Sequence, residues 1–260
     1  MPRWEAEIDL PFGTLPFDVF ISERWTEDPD DRFQWDSNVH LYSCLEWPSR
    51  YEYHKTASAI RDSIRDDRPC VLPKIPWPIS RYQTFTERLM CSKVIRPGLA
   101  DSVWLRTCYN ANSHSAYMQM TARAIYSKPC GISLNMILDD ENLYNYGIRW
   151  GRIFKRMPML GDRSTHHFES VPVENYKPPF EGLPLYHVTL LYVVDEEAIE
   201  QDLVKIKWLS NPERLLWENR IKPQDVSRMR DALDRGGYLG ELIAEHAGEE
   251  KMSLGAVLSW

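Results

Sequence analysis

One run in the C-terminal half is apolar on both faces, and it constrains the fold more than any other segment of this chain. It covers residues 186–194, and a strand of this composition has to be covered on both sides. In the next stretch, residues 203–208, apolar residues alternate with Lys205 and Lys207, which predicts a strand with one solvent-exposed face. We therefore predict that a sheet lies at the centre of a packed core.

Apolar periodicity elsewhere predicts both helices and strands. Residues 54–68 have apolar side chains at helical spacing with charge on the other side, which predicts an amphipathic helix. Asp225 predicts the N-cap of a later helix. The other predicted elements are a strand over 4–10, a strand over 114–126 on which Met118, Met120, Ala122 and Ala124 share a face, a short helix over 132–138, and a strand over 146–156 with a bulge at Gly151.

A proline-rich stretch predicts a domain boundary. Residues 69–78 hold four prolines, which lack amide donors and favour an extended connector over a helix or a central strand. We therefore predict an acidic N-terminal region over residues 1–68 with one strand and one helix. A connector over 69–81 and an α+β domain over 82–260 complete the predicted organisation.

The net charge of −7 is concentrated at the N-terminal end. Residues 1–36 contain ten acidic residues and three arginines, which accounts for the whole imbalance. The rest of the chain is balanced, so it would not be repelled by phosphate or anionic lipid. Two interpretations stay open for the acidic residues: a solvated face, or an arm that meets a basic surface.

The cysteines indicate a reducing compartment and no metal centre. The five cysteines are odd in number, widely spaced and never in a Cys-x-x-Cys pair, so we predict free thiols, no metal and no cofactor. No apolar run approaches the roughly 20 residues that span a bilayer. Any membrane contact is therefore expected to be peripheral.

Residues 149–156, called the basic segment below, give the best signal for an anionic partner. Cations next to aromatic rings can neutralise phosphates while the rings insert at an interface or stack on bases. The alternative is an exposed strand with ordinary solubilising charge. Lys205 and Lys207 predict a smaller cationic face. The candidate residues of the segment itself are Arg149, Trp150, Arg152, Phe154, Lys155 and Arg156.

Several C-terminal segments form an ordered series. They are Tyr117-Met-Gln-Met-Thr-Ala-Arg, Gly151-Arg-Ile-Phe-Lys-Arg-Met-Pro-Met-Leu160, Val173-Glu-Asn-Tyr-Lys-Pro-Pro-Phe180, Leu190-Leu-Tyr-Val-Val-Asp-Glu-Glu197, Arg228-Met-Arg-Asp-Ala-Leu and the terminal Ala256-Val-Leu-Ser-Trp. Taken in order, these segments resemble the matrix proteins of rhabdoviruses, the vesiculovirus type in particular. The likeness covers residues 115–260.

The resemblance implies an α+β fold in which a bent antiparallel sheet packs against two or three helices. It also implies a virion structural protein that self-associates beneath the envelope and binds the viral nucleocapsid. Further implied partners are the anionic inner membrane surface and host budding or trafficking factors, with the protein in the host cytoplasm and at the inner membrane surface. Virus assembly and budding would be its role.

Two features depart from that family. Its members usually begin with a Lys-rich arm and a Pro-Pro-x-Tyr budding motif, whereas this N-terminal region is acidic and Pro178-Pro-Phe180 lacks the tyrosine. Residues 42–45, Tyr-Ser-Cys-Leu, fit a loose recruitment pattern, but core positions are the plainer interpretation.

Enzymatic interpretations have weaker support. His187-Val-Thr189 fits half of a two-histidine phosphoesterase, and His54-Lys-Thr56 matches the other half in letters but opens a predicted helix. The acidic triplets 139–141 and 195–197 lie where helix N-caps are expected. We therefore predict a protein that is not an enzyme. The alternatives left open are a phosphoesterase using His187 and a capsid or nucleocapsid protein of another virus group.

Overall fold

The computed structural model describes residues 11–26, 31–73, 82–94, 103–127, 136–160, 162, 189–211, 214–227 and 256–257. The chain divides into two compact units. Unit 1 comprises residues 1–92 with 154–159, and unit 2 comprises residues 93–153 with 160–260. This division falls after Ser92, whereas the proline pattern predicts a connector at 69–81.

Unit 1 is helical in its described part. Its helices are α1 (Pro16–Ser22), α2 (Asp31–Ser43), α3 (Trp47–Arg65) and α4 (Phe85–Val94), of which the last two residues are counted in unit 2. Prolines at the start of α1 and α3 fit the first helical turn, where the missing N–H has no intrahelical acceptor. The predicted helix over 54–68 is confirmed, because α3 covers most of it.

An aromatic cluster fills the core of unit 1. The Phe17 ring lies 5.2 Å from both the Trp35 and the Tyr42 rings in edge-to-face geometry, and Trp35 stacks on Tyr82 at 4.6 Å. Such pairs stabilise a core by about 0.5–1.5 kcal/mol each beyond the area that they bury. Tyr42 is fully buried here, so this tyrosine of the recruitment-like motif at 42–45 is a core residue.

Unit 2 is built on a mixed sheet. Its strands are β1 (Val103–Arg106), β2 (Ile137–Leu138), β3 (Thr189–Val194), β4 (Val204–Asn211), β5 (Arg214–Ile221) and β6 (Ala256–Val257). They lie in the order β2-β1-β3-β4-β5-β6. The pairs from β3 to β6 are antiparallel, as predicted, whereas β1 is parallel to both β2 and β3.

Strand β3 occupies the centre of the sheet. It pairs with β1 on one side and β4 on the other, and its described side chains are buried without exception, from Leu191 to Val194. The prediction of a doubly covered strand within 186–194 is confirmed. The strand predicted over 203–208 is also confirmed as β4, and a register shift between Trp208 and Leu209 marks an irregularity in its pairing with β5.

The predicted strand over 114–126 is wrong. This segment forms helix α5 (His114–Ile125), which contacts the 3₁₀ turn Pro223–Asp225. The buried residues recur with helical spacing, and this face covers the core better than a two-residue alternation would. They are Tyr117, Met120, Thr121 and Ala124.

Two methionines separate the helix from the strand experimentally. The strand would place Met118 and Met120 on one face, whereas in α5 Met120 is 1% exposed and Met118 is 50% exposed. We expect Met120→Ala to lower the free energy of unfolding of unit 2 by about 2–3 kcal/mol, because it leaves a cavity. Met118→Ala should stay within about 0.5 kcal/mol. Urea denaturation of both variants checks this, and equal losses would contradict the helix.

Four further predictions differ from the structure or fall, wholly or in part, on residues outside its described part. The predicted strand over 146–156 with a bulge at Gly151 is wrong, because Trp150–Lys155 forms a 3₁₀ helix. The predicted short helix over 132–138 ends in strand β2, and its first part lies outside the described residues. Asp225 ends a 3₁₀ turn, and a helix starts at Val226. The predicted strand over 4–10 lies outside the described residues.

The fold class is α+β, as predicted. Short helices α6 (Glu141–Tyr144) and α7 (Glu196–Gln201) follow strands β2 and β3. Each begins after an aspartate whose side chain caps it, Asp140 for α6 and Asp195 for α7. Among the described residues, no helix is both long and apolar enough to cross a bilayer.

Candidate functional site

The basic segment divides into a buried part and an exposed part. Trp150 and Phe154 are buried, so their rings pack inside the protein. Arg149 and Arg152 are exposed in unit 2, next to Ile148, which is 85% exposed. The Arg152 guanidinium lies 5.6 Å from the Tyr146 ring centre, within cation–π range. Ile148 is a residue of this surface that the sequence pattern did not predict.

The two remaining cations of the basic segment are tied into unit 1. Arg156 pairs with Glu87, whose side chain is fully buried, through an NH2 to Oε2 distance of 2.9 Å. The Lys155 carbonyl accepts a hydrogen bond from Trp35 Nε1 at 2.9 Å, and its side chain is half-buried. These contacts give Arg156 an internal partner and a structural role.

Lys205 and Lys207 do not form an exposed cationic face. Both side chains are buried. Lys205 Nζ donates to Asp195 Oδ2 at 2.6 Å and to Glu197 Oε2 at 2.5 Å. Lys207 pairs with Glu218 and lies 5.1 Å from the Trp150 ring centre. The predicted solvent-exposed alternation is therefore wrong, because the acidic partners come from α7 and the cross-strand neighbour on β5.

The surroundings shift the pKa values of these two lysines in opposite directions. Burial lowers the pKa of Lys207 below its ordinary value, although the adjacent Glu218 opposes the shift. Burial also acts to lower the pKa of Lys205, but hydrogen bonds to Asp195 and Glu197 outweigh it and the pKa is raised. Lys205 therefore stays charged as the centre of an acidic network.

The candidate catalytic residues are not brought together in the described part of the chain. His54 is buried on helix α3, which differs from the strand that a two-histidine phosphoesterase requires, and His187 lies outside the described residues. Asp195 caps α7 through a 2.9 Å hydrogen bond from the Ala198 N–H. No group of three or more His, Cys, Asp or Glu side chains among the described residues could hold a metal ion.

A cleft at the carboxyl ends of β1 and β3 was not predicted. Its volume is about 370 Å³. One wall is the turn after β1, residues 110–113, and the other wall is helix α7 after β3. The polar wall residues are Asn110, Asn112, Ser113, Glu196 and Glu200, and the apolar ones are Ala111 and Ile199.

Arg106 holds the turn that forms one wall of the cleft. Its guanidinium lies between the Tyr109 and Tyr117 rings, 4.4 and 4.1 Å from their centres. Its Nε donates to the Cys108 carbonyl at 2.8 Å, and its NH1 donates to Asp139 at 3.3 Å. Burial, followed by the nearby Asp139 charge, raises the pKa of both tyrosines, so both stay neutral. The turn is therefore rigidly supported.

The sequence does contain signals for this cleft. Acidic residues directly follow the apolar strand β3, and polar residues 110–113 follow the apolar residues 103–105. Helix capping, the interpretation that the sequence favours for these acids, holds for Asp195, which caps α7. The strand predicted over 114–126 conceals the parallel β1-α5-β2 connection, and with it the carboxyl edge that β1 shares with β3.

Comparison of the chain with protein-family models, with curated proteins and with solved structures gave no match.

Proposed function

We propose that this protein is a non-enzymatic, matrix-type structural protein of a virus. It self-associates and bridges the nucleocapsid and the inner face of the membrane during assembly and budding. The ordered resemblance over residues 115–260 supports this role. A virion location beneath the envelope, with host trafficking factors as further partners, belongs to the same proposal.

The exposed surface formed by Ile148, Arg149 and Arg152 is the observation that carries the anionic contact. Lys205, Lys207 and Arg156 have acidic partners inside their own units. Among the candidate cations, Arg149 and Arg152 are therefore the most exposed to solvent. An exposed isoleucine beside two arginines suits an interface where the apolar side chain enters the headgroup layer and the cations meet phosphate.

The double variant Arg149→Glu with Arg152→Glu tests the anionic contact. Each cation near an acidic membrane contributes about 1 kcal/mol to binding. The double charge reversal should therefore weaken vesicle binding by roughly tenfold or more. The measurement is cosedimentation of the full chain with phosphatidylserine vesicles at low salt. Binding of the unaltered protein should also fall as salt is raised, because screening weakens exposed charges.

The matched control is Arg65→Glu with Arg68→Glu. These arginines are exposed at the end of α3, with 71% and 59% of their side chains accessible, and the control carries the same change of net charge. It should bind vesicles more strongly than the test variant does. Equal losses would show that net charge alone matters. Binding to viral ribonucleoprotein without binding to vesicles would instead favour the capsid or nucleocapsid alternative.

A further inference from the structure

Helix α2 has apolar side chains on its outer face as well as on its inner face. The inner side chains, Trp35, Val39 and Tyr42 among them, are buried in the core of unit 1. On the outer face Phe33 is 68% exposed and Leu41 is 49% exposed. A helix that packs on one face alone has mainly polar residues on the other, so this pattern indicates a helix that is covered on both faces.

Helix α3, in the same unit, has a different exposed surface. It is largely charged, and it includes the ion pairs Glu52 with Lys55 and Asp62 with Arg65. Charged pairs of this kind keep the outer face of a helix in water. The apolar outer face is therefore a particular feature of α2, and a partner that covers it removes apolar surface from water.

The apolar residues on the outer face of α2 are placed symmetrically about Ser37. Phe33 lies about one turn before Ser37 and Leu41 lies about one turn after it, so the three side chains form one ridge along the helix. When a second copy of α2 packs on this ridge in the antiparallel direction, Phe33 of each copy lies opposite the partner's Leu41. The half-buried serine at the centre is small, which lets the two helices approach closely.

The charged residues beside this ridge are also complementary to a second copy. Asp36 and His40 are exposed, about one turn apart, on the same side of the ridge. The antiparallel arrangement brings Asp36 of each copy next to the partner's His40, where the carboxylate accepts a hydrogen bond from the imidazole. Two-fold symmetry forms this contact twice, because residue i meets residue j and residue j meets residue i.

We infer that the outer face of α2 is the surface through which two copies of this protein pair. The inference rests on the self-association in the proposed function, and it names the residues that form the contact. A second copy is the expected occupant, because a two-fold rotation about Ser37 places the apolar residues opposite each other and the acid beside the base. One pair of helices buries less than the roughly 1,600 Å² of a standard interface, so we expect a weak dimer with a dissociation constant on the order of 10–100 µM.

Sedimentation velocity of the full chain over a range of concentrations measures this pairing. Phe33→Ala should raise the dissociation constant of the dimer by roughly 100-fold, because a two-fold interface loses the side chain twice. Phe85→Ala is the matched control, since Phe85 is a 57% exposed phenylalanine at the start of α4, and it should leave the constant unchanged. The unfolding midpoints of both variants establish that the fold is intact.

An exchange of charges tests the two-fold geometry. His40→Asp should weaken pairing by about tenfold, because it sets two carboxylates beside each other in both contacts. Adding Asp36→Lys to His40→Asp should restore pairing, because opposite charges then meet again in both contacts. A variant that only damaged the helix would not be rescued in this way.

Disulfide cross-linking tests the position of the symmetry axis. Ser37→Cys, combined with serine in place of the exposed Cys44 and Cys70, should cross-link to its own copy under mild oxidation, because residue 37 lies at the axis. Thr56→Cys in the same background is the control, at an exposed threonine of α3, and it should not cross-link.

The outcomes separate this contact from self-association in general. Self-association that Phe33→Ala leaves unchanged would overturn the α2 contact and keep the self-association of the proposed function. An unaltered chain that stays monomeric at every concentration would defeat both. Equal losses in Phe33→Ala and Phe85→Ala would reduce the effect to general apolar attraction and overturn the contact. Cross-linking of Ser37→Cys no faster than that of Thr56→Cys would overturn it as well.

Discussion

Replacing Arg88 with Met should lower the free energy of unfolding of unit 1 by about 3–5 kcal/mol. Arg88 and Asp18 form a two-pronged ion pair, NH1 to Oδ1 at 2.9 Å and NH2 to Oδ2 at 2.8 Å. Their side chains are 4% and 1% exposed. Without Arg88 the Asp18 carboxylate remains buried with no cation, and this desolvation cost explains the size of the effect.

The same carboxylate also organises the start of the described chain. Asp18 accepts hydrogen bonds from the N–H groups of Gly13 at 3.0 Å and Leu15 at 3.2 Å. Gly13 has a φ of +100°, and an added Cβ would lie 2.3 Å from Pro73 Cδ, so only glycine fits. An unpaired Asp18 would therefore disturb this turn and the first turn of α1 together.

A double-mutant cycle gives the control for this pair. Asp18→Asn alone should also destabilise, whereas the combination of Arg88→Met with Asp18→Asn should cost less than the sum of the single changes. Arg65→Met, at an arginine that is 71% exposed, should leave the free energy of unfolding nearly unchanged. Hydrogen exchange of α1 amides at increasing urea reports on unit 1 separately. A loss below about 1 kcal/mol for Arg88→Met would contradict the buried pair.

The elements that the sequence predicts correctly are those whose pattern has one structural solution. The run that contains β3 is apolar at consecutive positions. In a segment this short, only a strand that is covered on both faces buries every one of these side chains. In α3 the apolar residues recur at helical spacing over several turns, and charged residues fill the other side. Neither prediction depends on knowing which strands are neighbours.

Helix α5 shows how a pattern with two solutions misleads. Met118, Met120, Ala122 and Ala124 alternate as a strand would, but Met120 and Ala124 also recur at helical spacing with Tyr117 and Thr121. Met, Gln, Ala and Arg favour helices over strands, and this intrinsic preference should have decided the assignment. The error then concealed the parallel strands, and with them the cleft.

The candidate residues could be identified only by type. The sequence shows that Arg149, Arg152, Lys205 and Lys207 are cations near aromatic or apolar residues, but exposure follows from register and topology. Lys207 lies opposite Glu218 on β5, a pairing that depends on the β4–β5 register. Arg149 and Arg152 precede and enter a 3₁₀ helix, which exposes both. Charge runs therefore predict chemistry better than they predict surface.

Lys205 offers the second large expected effect. Replacing it with Met should lower the free energy of unfolding of unit 2 by about 3 kcal/mol, because Asp195 would stay buried without its cation. Asp195 also caps α7, so the loss should appear in the exchange of α7 amides as well as in the sheet. Lys222→Met, at an exposed lysine after β5, is the control, and it should change the free energy by less than about 0.5 kcal/mol.

The pH dependence gives this prediction a signature that simple loss of packing lacks. The hydrogen bond from Lys205 holds the pKa of Glu197 below its ordinary value of 4.5. The stability that this contact contributes is therefore present above pH 4.5, and it is lost as the pH falls through the lowered pKa. The pKa of Lys205 is raised above its ordinary value of 10.5, so its contribution is present below that pH and disappears as the pH rises through the higher pKa. The difference between the unaltered protein and Lys205→Met should therefore be largest between these limits. Urea midpoints measured across the range check this, and a difference that does not change with pH would contradict an ionic role for Lys205.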